Sequence, residues 1–590
     1  MTRSFSRRRF LALSAKGIGA AVVSYGLMGC NSNDDDSDTV AATFKHGVAS
    51  GDPLSDAVIL WTRVTPVADA KVKVSWQVAT DAAFSQLVTN GETLTDSARD
   101  YTVKIDAVGL KPGTRYYYRF AVGEQQSPTG ITKTLPEGSV ASVKLAVMSC
   151  SNYPAGYFNV YELAAQRDDL DALLHLGDYI YEYGRGQYAS EHAAELGREV
   201  LPANELLTLS DYRTRYAQYR SDASLQKIHA KVPFITIWDD HEVANDAWKE
   251  GAENHNDGEG DFELRKEAAM QAYFEWLPIR PWQAGDNQDI YRSFSFGDLL
   301  DLHMLDTRLL ARDKQLDYAD YLDANGNFDQ TGLMAALTDS SRTMLGQTQL
   351  AWLQQQLQTS TATWQVIGQQ VLMGRMLLPA AVATQQMSIS DYAELGQLAQ
   401  LAARAQAGDP TLTQAELDYL LANQAKLTPE VLALLQLPNI PYNLDAWDGY
   451  GYEREVLLQT IRALGKNTVV LAGDTHNAWA NNLRDQDGNA VAVEFATSSV
   501  TSPGMEDYLA LDPSQIDSYE QAVVGMVADL QYTNLLQRGY LLLDLSAERA
   551  AATWYFVDTI LSSNFTEVSA RQRQGYVLAG TPTVVMAAQS

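Results

Sequence analysis

The chain has 590 residues, 46% hydrophobic and 20% charged, which is the profile of a globular protein too long for one ordinary core. A formal net charge of −29 and a pI near 4.6 set aside specific binding of DNA or RNA and docking on anionic lipid, because phosphates would be repelled, while metal cations would be attracted. The same acidity would also serve simply to keep an exported protein soluble.

The first thirty residues read as an address. Arg7, Arg8 and Arg9 precede Phe10 and Leu11, and an apolar stretch interrupted by Lys16 runs to Met28. This resembles a twin-arginine signal, whose machinery exports folded proteins to the periplasm or cell surface. Leu27, Met28, Gly29 and Cys30 resemble a lipobox, so residues 1–29 are expected to be removed and Cys30 to carry a lipid that anchors the chain to a membrane. A plain signal peptide or an uncleaved anchor is the other reading, although the stretch is short and glycine-dotted for a stable span. Residues 30–41 are too polar to pack and read as a flexible tether. Only Cys30 and Cys150 exist, so a lipidated Cys30 leaves Cys150 without a disulfide partner.

From 42 to 138 the pattern is β. "AVILWTRV", "KVKVSWQVA", "YTVKIDAV" and "RYYYRFAV" are short runs rich in Val, Ile, Thr and Tyr, separated by turn residues. Leu110, Pro112, Gly113, Thr114 and Tyr116 resemble the tyrosine corner of a fibronectin type III or immunoglobulin-like sandwich. A small β-sandwich without chemistry is expected here.

Beyond it, "VKLAVMSC", "DALLHLGD", "PFITIWDD", "WQVIGQQVLM" and "TVVLAGD" are continuous apolar runs, which suit strands covered on both faces in a layered α/β domain. That domain is expected over 139–565. Residues 376–440, rich in Ala, Leu and Gln, read as a helical insertion. "GYLLLDLSAERAAATWYFVD" reads as a hairpin, and 566–590 as a tail without pattern. There is no Gly-rich phosphate loop, internal repeat, G-x-S-x-G elbow or C-x-x-C pair. Four of the five runs end in Cys, Asp or His clusters, and ligands gather at the carboxyl ends of strands in open α/β sheets.

Those ends carry the chemistry. Asp178 and Tyr181 follow "LLHLG"; a carboxylate can bridge two ions, and a phenol with an ordinary pKa near 10 ionises readily only beside a strong Lewis acid, iron(III) first. Alone, the pair would be a polar turn. Asp239, Asp240, His241 and Glu242 end another run, and three flanking carboxylates favour the charged imidazole. Asp474 and His476, one residue apart at a third strand end, can face the same side. Cys150 is either a small buried hydrophobe or, beside such clusters, a thiolate ligand.

Residues 42 to about 560 resemble the PhoD family of alkaline phosphatases and phosphodiesterases, related to purple acid phosphatases and the calcineurin-like metallophosphoesterases. The matching stretches are "HGVASGDPLSDAVILWTRV", "CSNYPAGYFNVY", "HLGDYIYEYG", "WDDHEVANDAW", "LDTR", "WDGYGYER" and "GDTHNAW". The resemblance implies an αββα metallophosphoesterase core behind the β-sandwich and a site holding Fe(III) with Ca2+. It makes Cys150, Tyr181 and His476 iron ligands, Asp178 the bridge, and Asp240 and Asp474 the calcium side, with Asn245 a further ligand or supporting group. His241 is the expected proton donor to the departing alkoxide or stabiliser of the transition state. Arg308 is a candidate clamp on phosphate oxygens or a surface ion pair, and Asn152 and Trp447 are candidate pocket walls. The implied reaction is hydrolysis of phosphate monoesters and diesters, by a monomer, to release inorganic phosphate. The alternatives are a dedicated phosphodiesterase acting on phospholipid, teichoic-acid-like or nucleotide esters, and a non-catalytic metal-binding envelope protein. "ENHNDGEGDF" fails the spacing of a calcium loop and reads as solvated.

Overall fold

The structure is a computed structural model that describes residues 40–280, 290–323, 328–384 and 386–588. The expected leader, Cys30 and residues 30–39 of the tether lie outside the described residues. No helix among the described residues is long and apolar enough to cross a membrane.

Two large sheets dominate. In the first, the strands Val143–Met148, Ala172–His175 and Phe234–Thr236 pair in parallel. In the second, Leu300–Met304, Trp364–Gly368 and Thr468–Ala472 do the same. Every residue of Trp364–Gly368 and Thr468–Ala472 is buried, which is why those runs are apolar without alternation. The sheets share a core in which Leu145, Leu173 and Leu541 of one meet Val366, Leu471 and Val493 of the other. The outer face of the second sheet is covered by the helices Gly346–Thr359 and Gly451–Leu464, through Leu353, Leu357, Leu457 and Ile461 packed with Ile367 and Val470. The helices Asn159–Ala165, Leu209–Tyr219, Ala223–Lys231 and Phe262–Trp276 cover the first. The result is an αββα sandwich.

The N-terminal part is a small β-sandwich with its own core, Val58, Leu60, Val74, Val103, Tyr118 and Phe120 among its members. Its tyrosine corner is formed: the Lys111 N–H donates to the Tyr116 hydroxyl at 2.8 Å. A boundary at 138, however, does not divide the sheets. Phe234 pairs in parallel with Gly51, so Val48–Gly51, Ala57–Arg63 and Thr102–Val108 extend the first sheet to ten strands. Gly51 is required at this seam, because a Cβ there would meet the Pro278 carbonyl oxygen and lie 2.6 Å from that of Phe234. Asp52, the next residue, pairs with Arg292 at 2.7 Å.

The segment after 565, expected to be a tail without pattern, is ordered sheet. Arg573–Leu578 and Thr581–Met586 are strands that extend the ten-stranded sheet beyond the hairpin Gly539–Leu545 and Arg549–Phe556, with Val577 and Val584 in the core. Residues 376–440 form the short pair Leu377–Pro379 and Asn439–Pro441, closing an excursion that includes the helices Ile389–Gln406, Gln414–Asn423 and Pro429–Leu435.

Candidate metal centre

The carboxyl ends of the parallel strands converge. Cys150, Asp178 and His476 present ligand atoms within 4.8 Å of one another, as do Asp178, Asp240 and His241, and again Asp239, Asp240 and Asp474. Tyr181 closes the first group: its hydroxyl donates to Asp178 Oδ2 at 3.0 Å and lies 3.3 Å from His476 Nε2. The Ser502 hydroxyl donates to the Tyr181 oxygen at 2.6 Å.

The backbone is bent to achieve this. Cys150, Asp178, Asp474 and His476 have φ of 63°, 54°, 61° and 65°, a left-handed conformation rare for such residues and held only where the surroundings impose it. Gly177, at φ 109°, leaves room that a Cβ would take from Asp239, whose backbone nitrogen would be 2.5 Å away. Glu242 is the fastening. Its carboxylate accepts from the N–H groups of Asp178 at 3.1 Å, Tyr179 at 2.5 Å and Asp239 at 2.7 Å, locking two ligand-bearing loops together.

The electrostatics follow from crowding acids away from water. Burial, reinforced by neighbouring carboxylates, holds the Asp178 and Asp239 carboxyls well above the usual range, and burial raises Asp474 to about 7. Burial and then Asp178 push up both the Cys150 thiol and the Tyr181 phenol. Burial works against charge on His241 too, but Asp240, Glu182 and Asp178 outweigh it and raise its pKa well above the ordinary value. His241 Nδ1 is 2.7 Å from Glu182 Oε2, which leaves Nε2 as the second ring nitrogen.

These residues fit cations. Asp178 Oδ1, Asp239 Oδ2 and Asp240 Oδ1 are buried and have no hydrogen-bond partner, an arrangement that costs on the order of 1–3 kcal/mol or more per group unless something positive engages it. Thiol, phenol and imidazole on one side suit a transition metal, and carboxylates on the other a hard, oxygen-preferring ion.

Arg308 and Trp447 take other roles than expected. Arg308 is no phosphate clamp: its guanidinium is fully buried, with Nε on Asp239, Nη1 on Asp445 at 2.8 Å, and Nη2 on Asp474 at 3.0 Å and 3.7 Å from Asp240. Every face is taken by a carboxylate, so Arg308 orders the acids rather than the substrate. Asn245 donates its amide N–H to Glu253 at 3.1 Å and its backbone N–H to Glu182 at 2.8 Å, so it steadies the partner of His241. Trp447 is fully buried in the outer core, with its ring N–H on Gln369 at 3.1 Å, and walls no pocket. Asn152, also buried, donates to the Tyr188 carbonyl at 3.4 Å and so supports the site wall indirectly.

The sequence pattern marked Asp239 and Glu242 only as charges flanking His241 and did not single out Glu182, so the holding roles of all three were missed. The signal was present in the doubled carboxylate of "WDDHE" and in the acid following Tyr181.

Two facing sheets with chemistry gathered at their strand ends, behind a β-sandwich, define the class: a metallophosphoesterase fold, and a phosphoric ester hydrolase. The PhoD-like phosphatase family matches residues 145–554, and its N-terminal domain matches residues 29–136. Alkaline phosphatase D of Bacillus subtilis (strain 168) is 33% identical over 537 residues, covering 87% of this chain and 79% of that protein. A solved structure of PhoD is similar with a TM-score of 0.72 at 29% identity, over 94% of each chain. The chain belongs to the PhoD-like phosphatase family.

Proposed function

We propose that the protein is an exported phosphatase, anchored through a lipid on Cys30, that hydrolyses phosphate monoesters and diesters at alkaline pH and releases inorganic phosphate. Cys150, Tyr181, His476 and Asp178 would hold Fe(III), and Asp178, Asp240 and Asp474 would hold Ca2+. Once bound, such a pair neutralises phosphate charge and activates water for in-line attack on phosphorus. Asp178 reaches both sides, Glu242 keeps its loop and that of Asp239 in register, and Arg308 holds Asp239 and Asp474 in place. His241, held through Nδ1 by Glu182, keeps Nε2 free to give a proton to the departing alkoxide oxygen.

The observation that carries this reading is the convergence of a thiol, a phenol, two imidazoles and several carboxyls on one spot where three buried carboxylate oxygens lack hydrogen-bond partners. Phosphate release from a monoester and a diester, with calcium present and then chelated, tests it. Activity on both that disappears on chelation is expected; activity on neither would favour a binding protein. Cys150→Ser should abolish activity and the visible tyrosinate-to-iron absorption together, whereas a band that survives unchanged would remove the thiolate from the iron side.

A further inference from the structure

The site accounts for a phosphate and leaves open what holds the rest of the ester. Arg308, Arg312 and Arg538 are already engaged by carboxylates: Arg308 with four, Arg312 with Asp445, and Arg538 with Glu506 at 2.5 Å. The layer that covers Tyr181 and His241 is aromatic. Tyr188 stacks on Tyr181 at 5.8 Å and 19° and on His241 at 6.3 Å and 15°, with Tyr183 at 5.4 Å. Its hydroxyl lies 3.2 Å from that of Tyr508.

Tyr508 differs from these neighbours in being 53% exposed. It ends the helical turn Met505–Tyr508, which continues from the segment supplying Ser502 to the Tyr181 oxygen and the Pro503 carbonyl to His476 Nδ1. The turn is fixed at its base by Met505 N–H on Asn477 at 2.8 Å and by the pairing of Glu506 with Arg538. The ring is therefore presented by a rigid support, within electrostatic reach of His241 and Asp474, and Tyr442 from the base of the helical insertion lies near it. This exposed phenol ring is carried by the same segment that orients two ligand side chains, Tyr181 and His476.

We propose that Tyr508, braced by the Tyr188 hydroxyl, forms a subsite that stacks a planar, uncharged ring in the alcohol part of the substrate, favouring aryl and other ring-bearing phosphate esters over small aliphatic ones. Stacking on an aromatic side chain tolerates many rings because each has a π-face. The surplus of carboxylates beside it disfavours alcohols that carry further negative charge. The inference rests on the phosphatase reading above and names the substrate class of that site.

The test compares kcat/KM for phenyl phosphate and ethyl phosphate in the metal-loaded full chain, for the wild type, Tyr508→Ala and Tyr508→Phe. Comparing variants cancels the intrinsic difference between the two leaving groups. The phenyl-to-ethyl ratio should fall about tenfold in Tyr508→Ala, in line with the worth of one stacked ring, and stay within about threefold of wild type in Tyr508→Phe. Turnover of both esters with an unchanged ratio in Tyr508→Ala overturns the subsite alone. An equal fall in both variants assigns the effect to the hydroxyl contact with Tyr188 and overturns stacking. No turnover of either ester by the wild type removes the phosphatase reading and the subsite together.

Discussion

A guanidinium enclosed by carboxylates is stable only while all partners remain, since each loses its hydration to be there. Removing one member of a buried ion cluster typically costs about 3–5 kcal/mol, because the survivors stay buried and uncompensated. Arg308→Gln should show a loss of that order in urea unfolding with chelator present, and recover part of it when calcium is added, because a cation can occupy the same field of Asp239, Asp445 and Asp474. A loss below about 1 kcal/mol would mean the cluster contributes little. The sequence placed Arg308 near the site but could not reveal which way it points: its partners Asp239 and Asp445 stand 69 and 137 residues away. Cys150, Asp178, Asp474 and His476 were legible because each ends an apolar run, and a strand end sets where its side chain goes. Trp447 was misread for the opposite reason, since a buried ring and a pocket ring look alike in a sequence.

The two segments at the periphery of the fold have opposite weight. The C-terminal strands Arg573–Leu578 and Thr581–Met586 cover the edge of the hairpin strand Arg549–Phe556 and bury Val577 and Val584. Truncation after 565 should expose that edge and yield aggregated or much less stable protein, read by sedimentation and by melting temperature. The helices Gln414–Asn423 and Pro429–Leu435 bury no residue, so replacing 410–435 by a short Gly-Ser linker should shift the melting temperature little. A large loss on the second change with none on the first would reverse this account. The apolar strands were legible because burial on both faces writes a continuous run. Leu300–Met304 was not, since Asp301 and His303 interrupt it; His303 is accommodated inside by Ser293 at 2.7 Å and Gln365 at 3.0 Å. The tail hid its strands behind a pattern of mixed, half-buried positions.

For the whole molecule the acidity now has a location as well as a total. Asp474 and Asp246 are raised to about 7 and Glu242 to about 8, in each case chiefly by burial. A carboxyl whose folded pKa lies above its unfolded value near 4 favours folding when protonated. Its stabilisation is complete below pH 4 and is lost as pH rises toward 7 to 8. The metal-free protein should therefore lose this contribution between about pH 4 and 8. Cations compete with those protons, so the melting-temperature gain from added calcium should be larger at pH 8 than at pH 5, with about 2.7 kcal/mol available at a hundredfold excess over Kd. A gain independent of pH would place the bound ion away from these acids.

The proposed centre for two dissimilar cations is built from distant parts of the chain. Anomalous diffraction from crystals of the purified protein at the iron edge tests it most directly. A peak bonded to Cys150 Sγ and the Tyr181 oxygen, with a second, non-iron density among Asp178, Asp240 and Asp474, is the predicted result; iron absent from that spot, or bound elsewhere, would contradict it.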